Sequence, residues 1–165
     1  DSISEQYERV SAQVLERVHG CFSAFGPLPR VRIHGDCHLG NILWRASGPL
    51  FVDLDDCESG PRIQDLWMFL SGDPASQQSA WAALMEGYEL FGEFDYAELT
   101  LVEALRSLRM VHHAAWIARR WDDPAFPAAF PWFNTQRYWQ DRILELREQI
   151  GAMDEPPAEA ALADA

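Results

Sequence analysis

The 165-residue chain is one domain's worth of sequence, 48% hydrophobic and 24% charged, as expected of a globular protein with a single sizeable core. Its formal net charge of −13 repels phosphate backbones and anionic bilayers, which removes nucleic acid and charge-driven membrane binding from the expected partners. No apolar run approaches the roughly 20 residues needed to span a bilayer, and no basic segment followed by an apolar stretch marks a signal peptide.

Cys21, Cys37 and Cys57 form neither a C-x-x-C pair nor a disulfide framework, which suits a reducing cytoplasm. A chain that opens on Asp1 rather than methionine reads as a fragment or a processed product, and a monomer is expected.

Ile3, Tyr7, Val10, Val14, Val18 and Phe22 recur every three or four residues and predict a helix ending near Gly26-Pro27. Three short β-like runs follow: Val31 to Ile33, Ile42 to Trp44, and Leu50 to Val52. The turn-forming residues Arg45 to Pro49 would join the last two as a hairpin. Beyond Pro61 the pattern turns helical. An apolar helix is expected from Asp65 to Leu70, stopping at Gly72. Asp73-Pro74 would cap and open a second helix through about Phe91. Asp95 and Glu98 have capping-box spacing ahead of a long helix through about Arg120. The Pro- and Phe-rich stretch from Pro124 to Trp132 reads as an ordered irregular loop, after which Asn134 would cap a helix to about Ile150. The expected organisation is a folded body over 1–153 and a disordered acidic tail over 154–165, rich in Ala, Pro, Asp and Glu.

The chemistry concentrates in His34-Gly35-Asp36-Cys37-His38-Leu39-Gly40-Asn41 and Phe51-Val52-Asp53-Leu54-Asp55-Asp56. If the two β-like runs pair, Asn41 and Asp53 stand at the mouths of adjacent strands about 4.8 Å apart. An amide oxygen and a carboxylate then converge as a hard divalent cation requires, and magnesium takes such ligands together with substrate phosphates. Asp36 lies five residues before Asn41, on a loop able to curl back over the same point. An acid there is placed to accept a proton from an incoming hydroxyl. A base Asp, a nearby Asn and a metal-binding Asp after the next strand form the phosphoryl-transfer template.

The His-Gly-Asp-x-x-x-x-Asn loop is similar to that of the aminoglycoside phosphotransferase and choline kinase superfamily. HGDCHLGNILW, FVDLDDCESGPRIQDLWMFLSGD and WIARRWDDPAFPAAFPWFNTQRYW together resemble, more narrowly, the bacterial stress response kinase A family. The resemblance implies the C-terminal lobe of an α+β, protein-kinase-like fold, mainly helical with a small β-hairpin at the active site. It implies transfer of phosphate from ATP to Ser/Thr hydroxyls of proteins. Asp36 becomes the catalytic acid/base, and Asn41 and Asp53 the magnesium ligands. Asp65 becomes the residue that braces the loop through its backbone, and His34 the scaffold histidine before the base. Gly35 stands in place of the Arg of H-R-D, Asp53-Leu54-Asp55 replaces D-F-G, and there is no A-P-E. No Gly-rich loop and no strand lysine precede His34, so an N-terminal lobe is an expected missing partner and the fragment alone is expected to be inactive.

Simpler readings compete. Asp36, Asn41 and Asp53 are residue types common in turns and caps. His38 reads as a loop histidine with a structural hydrogen bond, ahead of a metal ligand. Asp55, Asp56 and Glu58 fit a role toward metal or substrate and equally an acidic solvated turn, and Cys37 reads as a packing residue rather than a redox thiol. His112 and His113 should face opposite ways, one to core and one to surface. Arg119-Arg120 reads as a helix-end pair, and Trp116, Trp121, Phe126, Phe130, Trp132 and Phe133 as packing rather than a substrate groove. Three other functions remain open: a kinase of aminoglycoside- or choline-like small molecules, a zinc or manganese phosphoesterase using Asp36, His38 and Asp53, and a non-catalytic binding module.

Overall fold

Three valines spaced four apart bind the N-terminal helix to its neighbours. In the computed structural model, which describes residues 2–70 and 74–155, α1 runs over Ile3–Phe25 and buries Val10, Val14 and Val18. The described residues divide into two units, one from α1 with the chain after Val102, the other from Phe25 to Val102.

In the first unit, α3 (Val102–Ala118) supplies Ala104, and α5 (Gln136–Ala152) supplies Ile143 and Leu146, to a core completed by the α1 valines. Each fully buried aliphatic side chain contributes about 1.5–3 kcal/mol. The segment expected to be irregular contains a short helix, α4 (Ala125–Ala129), with Asp123 Oδ1 accepting from the Ala125 N–H at 2.9 Å. Its aromatic side chains pack on one another, Phe126 meeting Phe130 at 5.8 Å and Phe130 meeting Trp132 at 5.7 Å; beside it Trp121 meets buried Phe133 at 4.9 Å and Trp139 meets Tyr7 of α1 at 4.8 Å between ring centroids. Thr135, not Asn134, caps α5, its hydroxyl accepting from the Tyr138 N–H at 3.2 Å. Asn134 instead adopts a left-handed backbone, φ 60°, and accepts from Trp139 Nε1 at 3.2 Å. Both are short polar residues, and cap identity turns on which of them has extended backbone.

In the second unit, β2 (Ile42–Arg45) and β3 (Gly48–Phe51) form the expected hairpin, antiparallel, with Ile42 opposite Phe51 and Arg45 opposite Gly48. A second pair joins β1 (Val31–Ile33) to β4 (Glu58–Gly60), with Ile33 opposite Glu58. Glu-Ser-Gly carries no strand pattern; it is a strand because β1 offers it backbone partners. The helix expected from Asp65 to Leu70 is instead two 3₁₀ turns, Arg62–Asp65 and Trp67–Phe69, broken at Leu66. Pro61 sets the extended entry to the first, and this tighter winding is stable only in short pieces. Then α2 spans Pro74–Tyr88.

Asp95 does cap, accepting from Ala97 N–H at 3.0 Å, but it opens a 3₁₀ helix over Tyr96–Leu101 that leads into α3. Glu98 does not close a capping box. It is fully buried and binds Arg62 Nη1 at 3.3 Å and the Ile63 N–H at 3.0 Å. The expected stop at Gly72, the Asp73 cap and the tail over 156–165 lie outside the described residues. Asp154, assigned by composition to the tail, pairs with Arg17. Among the described residues no helix is long and apolar enough to cross a membrane.

Candidate active site

The second unit gathers the polar loop between β1 and β2 onto a frame of partly buried hydrogen bonds. Asp65, delivered by the 3₁₀ turn after Pro61, accepts from the His34 N–H at 2.7 Å and the Gly35 N–H at 2.9 Å, one with each carboxylate oxygen. Gln64, beside it, donates through Nε2 to the Gly35 carbonyl at 2.7 Å and lies 3.4 Å from Trp67 Nε1 through its oxygen. The Gly35 peptide is thus held on both its N–H and C=O sides by one 3₁₀ turn. Gly35 itself has φ 87°, and a Cβ there would run into the Asp56 carbonyl oxygen. Only glycine satisfies both conditions.

His34 is buried at the base of the loop. Its Nε2 lies 2.9 Å from the Val52 carbonyl, which can only accept, so that nitrogen carries the proton. Its Nδ1 is therefore an acceptor and faces the Asp36 N–H at 3.4 Å. One imidazole links the residue before Asp53 to the backbone of Asp36.

Asn41 ends the loop, 8% exposed, at the entry to β2. Its carbonyl accepts from the Val52 N–H at 3.0 Å, which extends the β2–β3 ladder by one rung and sets Asp53 one residue beyond it. Its side-chain Nδ2 donates to the Asp36 carbonyl at 3.0 Å. One amide hydrogen is thereby committed to the loop, which fixes the side chain, and the amide oxygen is the atom with the chemistry of a metal ligand. Asp53 has φ 62°, a left-handed backbone that aspartate and asparagine tolerate better than other non-glycine residues.

His34, Asp36, Asn41 and Asp65 thus form one hydrogen-bonded assembly, with Asp53 at its edge. His38 joins through its imidazole, Nε2 lying 3.4 Å from Asp36 Oδ2. Asp55, Asp56 and Glu58 are exposed. Among the described residues no group of three His, Cys, Asp or Glu side chains is arranged to hold a metal ion, which leaves the phosphoesterase reading without a three-ligand centre. Burial first, then the Asp65 and Asp36 carboxylates, push the Cys37 thiol up to about 11. Cys37 therefore stays protonated and unreactive near neutrality. His113 is half-buried and His112 exposed, while Arg120 lies over the Trp116 ring at 4.8 Å. Gln64 escaped the sequence reading, and Glu98 entered it only as a capping-box residue; set near Arg62 and Asp65 in one case and three residues after Asp95 in the other, neither carries a local signal of the contact it makes.

Residues 2–102, which hold this whole assembly, match the model of the phosphotransferase enzyme family. The chain belongs to that family. Over 127 residues it is 54% identical to stress response kinase A of Salmonella choleraesuis (strain SC-B67) and to the serine/threonine protein kinase RdoA of Salmonella typhimurium (strain LT2). It is 53% identical over the same length to stress response kinase A of Escherichia coli (strain K12). Each match covers 77% of this chain but 38% of the relative, so the chain spans well under half the length of the curated proteins it resembles.

Proposed function

We propose that this chain is the catalytic portion of an ATP-dependent kinase that phosphorylates Ser/Thr hydroxyls of proteins. The observation that carries the reading is the Asn41 Nδ2 contact to the Asp36 carbonyl. It ties the base and a metal ligand into one loop, with Asp53 brought alongside by the extended hairpin. An amide oxygen and a carboxylate are hard donors of the kind magnesium takes, so the residues fit that cation. Bound there with ATP, magnesium would neutralise charge on the phosphates.

Asp36 accepts the proton of the acceptor hydroxyl as its oxygen bonds to the γ-phosphorus. The bond from that phosphorus to the bridging oxygen breaks, and ADP leaves with the electron pair. Asp65, Gln64 and His34 hold the loop so that Asp36 meets the hydroxyl without reorganising. The protein acceptor is supported by a relative named as a serine/threonine protein kinase. The three thiols are all unpaired, which agrees with a cytoplasmic setting, and the protein is proposed to act as a monomer.

The test is transfer of labelled phosphate from ATP by the full-length protein, offered a cell-protein mixture and, separately, aminoglycosides and choline. Label on protein is expected. Label confined to a small molecule would make this a metabolite or antibiotic kinase.

A further inference from the structure

His38 has a backbone that touches both ends of the proposed chemistry. Its N–H donates to the Asp36 carbonyl at 3.1 Å, and its carbonyl accepts from the Asn41 N–H at 2.9 Å. Its ring is fixed as well. Nδ1 accepts from the Gly40 N–H at 3.0 Å, so in the neutral ring the proton resides on Nε2. Nε2 is the atom that faces Asp36 Oδ2 at 3.4 Å.

Gly40 makes this possible. Its φ is unexceptional, but a Cβ there would stand 2.7 Å from His38 Cε1 and 2.9 Å from Nδ1. The ring occupies the space that a side chain at residue 40 would need. Both the tautomer and the seat of the imidazole are thus set by residue 40.

We propose that His38 is a positioning residue for the base: the imidazole, seated on Gly40, holds the Asp36 carboxylate in the rotamer that receives the acceptor proton. The inference rests on Asp36 being the base and deepens that reading. A carboxylate braced at one oxygen loses freedom to rotate about its Cβ–Cγ bond, so the same oxygen is favoured to meet each incoming hydroxyl. Removing such a support slows the chemical step while leaving nucleotide binding alone. Loss of a partner that orients a functional group typically lowers activity about 10- to 100-fold.

The experiment uses the full-length protein with labelled ATP and a degenerate Ser/Thr peptide mixture as acceptor. His38→Ala should lower kcat about 10- to 100-fold with the KM for ATP changed less than about twofold. His38→Gln, whose Nε2 can occupy the place of the ring nitrogen, should recover kcat to within about threefold of the parent. Gly40→Ala should reproduce the His38→Ala loss, yet add nothing in a His38→Ala background, because the clash is with the ring alone. Thermal midpoints identify variants that fail to fold. Asp36→Asn, run in parallel, separates the two levels. If it is active, the base assignment fails. If it is inactive while His38→Ala keeps kcat within about twofold, only the positioning role fails. Equal losses in His38→Ala and His38→Gln, or a Gly40→Ala loss that persists without the imidazole, would also overturn the inference.

Discussion

Gly35 shows how little freedom the loop backbone has. Its φ of 87° lies in the region that L side chains avoid, and the Asp56 carbonyl occupies the place of a Cβ. Gly35→Ala should therefore destabilise the second unit by more than about 1 kcal/mol and disturb the Asp36 peptide. A lowered thermal midpoint together with lost phosphotransfer in the full-length protein is the expected outcome. The thiols separate just as clearly. Cys37 is buried with its proton held to about 11, whereas Cys57 is exposed. Iodoacetamide at pH 7.5 (about one unit below the ordinary thiol value) should label Cys57 and spare Cys37 until the chain unfolds. The folded thiol keeps its proton more tightly than the unfolded one, so its contribution to stability is complete below the ordinary thiol range. That contribution declines as pH rises toward the folded value of about 11. A Cys37 that alkylates as fast as Cys57 would contradict this.

Glu98 extends the same logic to an element. Fully buried, it holds Arg62 and the Ile63 N–H, and so anchors the 3₁₀ turn that carries Gln64 and Asp65 to the loop. Glu98→Ala would leave that guanidinium and amide without their partner, a change expected to remove about 3 kcal/mol and lower the thermal midpoint by roughly 5–10 °C. Glu98→Gln, which keeps an acceptor, should fall well short of that loss. Here the limits of sequence reading become physical. Periodicity reveals an element that buries a stripe, as α1 does, and turn residues between two β-like runs mark the β2–β3 hairpin, which sets Asp53 one residue beyond the Asn41–Val52 rung. It does not reveal elements created by a partner. β4 exists because β1 pairs with it, and the turns at Arg62–Asp65 and Trp67–Phe69 replace a helix under tertiary constraint. Glu98 stands at capping-box spacing from Asp95, yet its carboxylate is taken by a residue 36 positions away. Local spacing carries no information about such a contact.

For the chain taken entire, the proposed reading turns on which phosphate-binding side chains the sequence supplies. All thirteen basic residues are arginines; the sequence contains no lysine to pair with ATP phosphates. The hairpin also leaves Trp44 77% exposed and Phe51 48% exposed, an apolar display of the kind that marks an interaction surface. The isolated 165 residues should accordingly show no phosphate transfer from ATP, while the full-length protein does; transfer by the isolated chain would refute the proposed dependence on further sequence.

The most direct measurement separates the two roles assigned to the loop and the hairpin in the full-length protein. Magnesium-dependent ATP affinity and the rate of phosphate transfer would be measured for Asp36→Asn and Asp53→Asn side by side. Asp36→Asn should bind magnesium and ATP within about threefold of the parent while losing transfer by at least about 100-fold. Asp53→Asn should lose the magnesium dependence of ATP binding itself. If Asp36→Asn transfers phosphate at the parent rate, or Asp53→Asn binds magnesium and ATP unchanged, the site does not perform the chemistry proposed for it.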